Sequence, residues 1–205
     1  GPKYEMRIRS IIVTPGYYRQ PDLTAKAFDE EGYYKIGDAG TFVDINDPAK
    51  GLIFAGRVVE DFKLTSGTFV HVGSLRVAAI AAASPVIQDA LVAGQDREFV
   101  ALLAWPNLEA CRLVAGKVDA PLSDLVHDPL IKEHLKKSLH AHNVQSGGSS
   151  MRISRVMLMT EPPSIDGNEL TDKGYINQRA TLDRRAALVE RLYADPPGDD
   201  VIVVA

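Results

Sequence analysis

The chain has 205 residues, 45% of them hydrophobic and 24% charged, which supplies enough apolar material for one domain or one and a half. Its net charge of −4 gives no reason to expect nucleic acid or an anionic membrane as partner. No apolar run approaches the ~20 residues of a membrane span, no signal-peptide pattern opens the chain, and a single cysteine, Cys111, suits a reducing cytoplasm. Gly1-Pro2 reads as a tag-cleavage remnant.

In chain order, Met6, Ile8 and the run Ile11-Ile12-Val13 predict a first strand that stops at Pro15-Gly16. A helical turn is expected over 24–28, starting near Asp22. Tyr33-Tyr34 with Ile36 predict a second strand, Thr41-Phe42-Val43 a third, and Leu52-Ile53-Phe54 a fourth after the Asn46-Asp47-Pro48 turn. Character changes after Arg57. The stretch 58–70 suggests a hairpin turning at Ser66-Gly67.

Ser74 is placed to cap a helix running to about residue 83 and ended by Pro85. Residues 86–92 and 99–105 read as strands on either side of the charged turn 94–98. Residues 108–114 read as a helix in which Cys111 is a buried thiol. Asp128-Pro129 opens a strong helix by cap and first-turn proline, with Leu130, Ile131, Leu135 and Leu139 on one face. A flexible Ser/Gly loop (146–150) leads to a strand over 151–159, in which Met151, Met157 and Met159 fill a core. Leu182, Ala186, Leu188, Val189 and Leu192 mark a final amphipathic helix over 177–193. Mixed strands and helices with local hairpins predict an α+β fold: residues 1–57 the end of a β-rich domain, residues 58–205 a small mixed lid.

Chemistry concentrates in a few short motifs. Gly32-Tyr33-Tyr34-Lys35-Ile36-Gly37-Asp38 sets a carboxylate on a tight Gly-Asp turn, where it can accept hydrogen bonds from two neighbouring hydroxyls, as on a ribose. Gly56-Arg57 offers a guanidinium for the same sugar or a phosphate. Upstream stands Thr14-Pro15-Gly16-Tyr17-Tyr18-Arg19-Gln20-Pro21-Asp22-Leu23-Thr24, ending in Ala27-Phe28-Asp29. His71, His127, His134, His140 and His142 lack metal-ligand spacing and read as exposed helix residues, so no metal site is expected. Gly147-Gly148 is no phosphate cradle, since no Gly-Lys-Ser/Thr follows.

Together these motifs resemble the adenylate-forming enzymes: acyl- and aryl-coenzyme A ligases, peptide-synthetase adenylation domains and luciferases. The resemblance spans most of residues 5–193, with Ile36 where the family usually has Thr. It implies that Asp38 and Arg57 bind the ribose region of ATP and of the acyl-adenylate. It implies that Lys63, six residues after Arg57, acts when the adenylate is converted to a thioester. The family's adenylation lysine falls in Leu170-Thr171-Asp172-Lys173-Gly174-Tyr175-Ile176-Asn177-Gln178-Arg179, where strict alignment gives Tyr175 and a loop shift gives Lys173. The usual hinge residue is replaced by Val59, with Glu60 or Asp61 as stand-ins, and one residue is inserted between Lys63 and Gly67.

The stretches 60–76 and 171–179 resemble the feruloyl-coenzyme A synthetase branch, which activates hydroxycinnamic acids. The resemblance therefore implies the carboxy-terminal part of an ATP-dependent acid–coenzyme A ligase. Its substrates would be ATP with Mg2+, coenzyme A and an aromatic carboxylic acid, and its partner the missing N-terminal adenylation domain. Two rival readings are an adenylation domain that loads a carrier protein and a non-catalytic binding domain with a lid fold. The chain lacks a Ser/Thr/Gly-rich phosphate loop and an acid pocket, so it is expected to be inactive alone.

Overall fold

A computed structural model describes residues 3–204 apart from the side chain of Val59; the Gly1-Pro2 pair lies outside the described residues. The chain forms two compact units that divide between Asp61 and Phe62, one short 3₁₀ turn (Val58–Glu60) beyond the compositional change at Arg57.

In the first unit, strands β1 (Tyr4–Ile8), β2 (Tyr34–Phe42) and β3 (Leu52–Arg57) form an antiparallel sheet in that order, and α1 (Pro21–Ala27) lies between β1 and β2 in sequence. The two strands expected around Ile36 and Phe42 are one continuous strand. The run Ile11-Ile12-Val13 is a turn rather than strand. Ile11 and Ile12 stand in solvent, because β propensity alone does not make a strand where no partner strand lies alongside.

The second unit begins with a short hairpin, β4 (Phe62–Lys63) and β5 (Phe69–Val70), followed by α2 (Val72–Ala82). Ser74 is not the cap: the helix starts two residues earlier, after His71, because Val72 and Leu75 are drawn into the core. Next come β6 (Ile87–Ala93), β7 (Val100–Pro106), α3 (Leu108–Ala115), the short α4 (Leu122–Leu125), α5 (Pro129–Ser146) and β8 (Ile153–Leu158). The expected last helix is two, α6 (Gln178–Arg184) and α7 (Ala186–Tyr193), separated by Arg185, and the chain closes with β9 (Val201–Val203). The short α4 and β9 carry too few residues for a periodic signal.

Strands β6-β7-β8-β9 form one sheet, with β7 and β8 parallel and the other pairs antiparallel. Both faces are covered, which explains why β7 reads Val-Ala-Leu-Leu-Ala-Trp without alternation. One face packs Val92, Leu102, Val156 and Ile202 against Leu75 of α2 and Ile131, Leu135 and Leu139 of α5. The other packs Leu91, Leu103, Trp105, Met157 and Met159 with Leu192 of α7. Burying one such leucine stabilises the unit by about 2 kcal/mol.

Asp128 caps α5 as its sequence indicates, its carboxylate accepting from the Leu130 amide at 2.8 Å, while Leu130 itself faces solvent. Of the histidines, His127 and His140 are exposed but His71, His134 and His142 are half-buried, and His71 precedes its helix. His142 is held by the Met151 carbonyl (3.0 Å), an anchor for the glycine-serine loop.

Candidate functional site

The first unit brings Asp38 and Arg57 together. They are register partners across β2 and β3, with Arg57 Nε 3.7 Å from Asp38 Oδ1. Asp38 lies inside a strand and not on a turn; the turn-like geometry comes from the residue before it. Gly37 has φ +78° and Gly56 has φ +84°, so each charged residue follows a glycine in the left-handed region that side chains avoid. The pairing also slips one step between Asp38 and Gly40, a bulge of the kind that re-aims side chains at sheet edges. A Cβ on Gly37 would come within 3.2 Å of Arg57 Nη2, so the glycine also leaves room for the guanidinium.

The two side chains remain 38% and 53% exposed. Such a surface pair adds little to stability, on the order of 1 kcal/mol or less. Its oxygens and N–H groups stay open to a ligand, and a carboxylate beside a guanidinium can accept from a vicinal diol while the arginine donates to a phosphate or ring oxygen.

In the second unit one candidate lysine precedes a turn and the other stands on one, the two turns being separate and of the same construction. Lys63 ends β4, and the loop 65–67 reverses the chain, with the Gly67 amide donating to the Leu64 carbonyl at 2.8 Å and Gly67 at φ +82°. Lys173 sits on the tip of the second turn: the Gly174 amide donates to Thr171 (2.8 Å), the Thr171 amide to Tyr175 (2.8 Å), and Gly174 has φ +78°. Both are three-residue reversals closed by a left-handed glycine. Lys63 and Lys173 are exposed, as is Tyr175. Lys173 stands at the tip of that turn and Tyr175 in its stem, where the Tyr175 carbonyl accepts from the Thr171 amide.

Each lysine turn is moored to the sheet. The Lys63 carbonyl accepts from the Asp96 amide (3.1 Å) and the Arg97 carbonyl from the Thr65 amide (2.9 Å). Around Lys173 the mooring is polar and buried: Gln178 exchanges two hydrogen bonds with the backbone of Val92, and Glu169 and Arg185 form a two-pronged ion pair. Neither Glu169 nor Arg185 stands in a recognisable motif. The signal lay in spacing, since Thr181, Arg185, Leu188 and Leu192 recur at helical intervals and Arg185 is only 6% exposed. Asp61, one of the two hinge stand-ins, forms an ion pair with the largely covered side chain of Lys3.

A family model for the AMP-binding enzyme C-terminal domain matches residues 72–196, more than half of the chain, and the chain belongs to that family of adenylate-forming enzymes. It is 26% identical over 200 residues to the probable acyl-activating enzyme 16, chloroplastic, of Arabidopsis thaliana, covering 94% of this chain and 27% of that protein. It is 24% identical over 200 residues to the Arabidopsis long-chain fatty acid–acyl-carrier-protein ligase AEE15, covering 95% of this chain and 26% of the other. The fold superposes on the A domain of a carboxylic acid reductase from Segniliparus rugosus, solved with AMP and a co-purified carboxylic acid. The TM-score is 0.74 at 26% identity, covering 95% of this chain and 28% of that one. The chain thus spans about a quarter of the length of these relatives. Among the described residues, no helix is long and apolar enough to cross a membrane.

Proposed function

We propose that this chain is the carboxy-terminal part of an ATP-dependent carboxylic acid–coenzyme A ligase of the feruloyl-coenzyme A synthetase type. The observation that carries the reading is the open Asp38–Arg57 pair, each partner set behind a left-handed glycine. The unit up to Asp61 is the end of the large adenylation domain, and the unit from Phe62 is its lid. The acid pocket and phosphate loop belong to an upstream domain, which leaves residues 1–205 without turnover of their own. The lone buried thiol of Cys111 suits a cytoplasmic enzyme.

In the first step an oxygen of the substrate carboxylate attacks the α-phosphorus of ATP, pyrophosphate leaves, and an acyl-AMP forms. Asp38 accepts from the ribose hydroxyls, Arg57 donates beside it, and Lys173 offsets negative charge on the carboxylate and α-phosphate oxygens. In the second step the coenzyme A thiol gives up its proton to solvent, its sulfur attacks the acyl carbon and AMP leaves with the bonding electron pair, while Lys63 stabilises the oxygen that gains charge. Mg2+ would travel with the ATP phosphates; among the described residues no group of three His, Cys, Asp or Glu fits a metal ion, and no step is assigned to one.

The test uses the full-length protein with ATP, coenzyme A and a panel of ferulic, coumaric, benzoic and fatty acids, following AMP release and thioester formation. Ferulate should turn over, Lys173→Ala should block adenylation, and Lys63→Ala should block only the thioester step. An enzyme that adenylates no acid would overturn the reading. A second reading, transfer to a carrier phosphopantetheine, is favoured by the likeness to an acyl-carrier-protein ligase. Offering a phosphopantetheinylated carrier beside coenzyme A separates the two.

A further inference from the structure

We propose that the buried Glu169–Arg185 ion pair is a positioning device for adenylation, fixing the base of the 171–175 turn so that Lys173 is presented in one place. The inference rests on the role given above to Lys173.

Every polar atom of Glu169, which is 0% exposed, is engaged. Its amide donates to the Ser164 carbonyl (3.0 Å), and its own carbonyl accepts from the Asn177 amide (2.9 Å) and Thr181 Oγ1 (3.4 Å). Oε1 accepts from Arg185 Nε (2.7 Å); Oε2 accepts from Arg185 Nη2 (2.9 Å) and the Ser164 amide (2.7 Å). Arg185 in turn donates to the carbonyls of Glu161 (3.3 Å) and Pro162 (3.0 Å) and lies over the Trp105 ring at 5.3 Å. Arg184 Nε (3.8 Å from Glu169) and the Glu161 carboxylate (3.9 Å from Arg185) complete the charged surroundings.

The pair therefore ties three points of the segment 161–169 to the junction of α6 and α7. From Glu169 the chain runs directly into the lysine turn, whose stem is closed by the Leu170–Ile176 bridge. Apolar residues of similar volume would hold a loop against a sheet equally well, since desolvation offsets much of a buried pair's attraction. What a two-pronged carboxylate–guanidinium pair adds is a fixed orientation. A lysine on a long flexible stem needs that from its backbone if its amine is to meet a reacting oxygen.

The experiment places Glu169→Gln, Arg185→Lys and Lys173→Ala in the full-length ligase and measures the half-reactions separately. Adenylation is read by ATP–pyrophosphate exchange, and thioester formation by starting from synthetic acyl-adenylate. Glu169→Gln and Arg185→Lys should each lower the exchange kcat by about 10- to 100-fold, as a misplaced catalytic group does, with KM for ATP and the thioester step unchanged. Amide hydrogen exchange should quicken more at Gly174 and Tyr175 than at β7, whose exchange follows the stability of the whole unit. Equal loss of both half-reactions in both variants, with exchange quickened no more at Gly174 and Tyr175 than at β7, would mean that the pair only holds the fold, and overturns the proposal. So would an unchanged exchange kcat in both variants beside an inactive Lys173→Ala, an outcome that leaves the role of Lys173 standing. An active Lys173→Ala would remove that role, and the pair's with it.

Discussion

The backbone amide of Asp96 donates to the carbonyl of Lys63 at 3.1 Å, so the residue that bears one candidate amine is held by the turn between two core strands. The same turn begins at Gly94, φ +156°, where a Cβ would stand 2.8 Å from the Phe62 ring. Strand β4 rests on a bare backbone. Gly94→Ala should therefore lift the Lys63 hairpin, lowering the thioester half-reaction by about 10- to 100-fold while ATP–pyrophosphate exchange continues. Equal loss in both half-reactions would show that Lys63 is not the group displaced.

The Asp38–Arg57 pair makes a different prediction, because its exposure means that substitution costs the fold little. Asp38→Ala should weaken ATP binding by about 10- to 100-fold, the equivalent of roughly 1.5–3 kcal/mol for hydrogen bonds to a charged group, with the melting temperature nearly unchanged. Gly37→Ala should do part of the same by crowding Arg57 and straining a left-handed residue. Isothermal titration with ATP on full-length protein measures both, and tight binding by Asp38→Ala would exclude the ribose role.

Glu169 sets an acid limit. Hydrogen bonds from Arg185 come first in holding its carboxyl below the usual carboxylate range. A carboxylate whose folded pKa is depressed gives stability that is complete above the unfolded value, about 4.3, and that is lost as pH falls through the folded one. Wild type should exceed Glu169→Gln by about 3 kcal/mol at pH 7, and the gap should close steadily below about pH 4. Urea unfolding at several pH values reads this directly. A gap that does not change with pH would mean that the carboxylate is not the charged partner supposed.

Cys111 lies on α3 under the sheet, and burial alone pushes its thiol up to about 11. At neutral pH it is a protonated, apolar filler, so iodoacetamide should modify the folded protein far more slowly than the urea-unfolded chain. The sign of the linkage is opposite to that of Glu169: the thiol's contribution is intact below the unfolded value near 8.5 and declines as pH rises toward 11. Rapid native labelling at pH 7 would contradict the burial.

Sequence carried much of this. Asp128 and Pro129 announce α5 because capping is local, and the strands on either side of 94–98 announce themselves because both faces of their sheet are dry. Asp38, Arg57, Lys63 and Lys173 stand as candidates because each lies in a short local motif. What the chain does not display is long-range. Glu169 and Arg185 meet across a loop and a helix, Phe62 needs Gly94 bare, and Ile11-Ile12-Val13 has strand propensity without a strand beside it. Arg185 was hidden by its type, since an arginine on an amphipathic helix reads as the wet side until its partner is known.

A sheet clad on both faces behaves as a stiff plate, and here the turn after Lys63 and the turn that carries Lys173 are each tied to it, one through the 94–98 connection at Asp96 and Arg97, the other through Gln178 on Val92. The two amines therefore cannot exchange places by loop rearrangement.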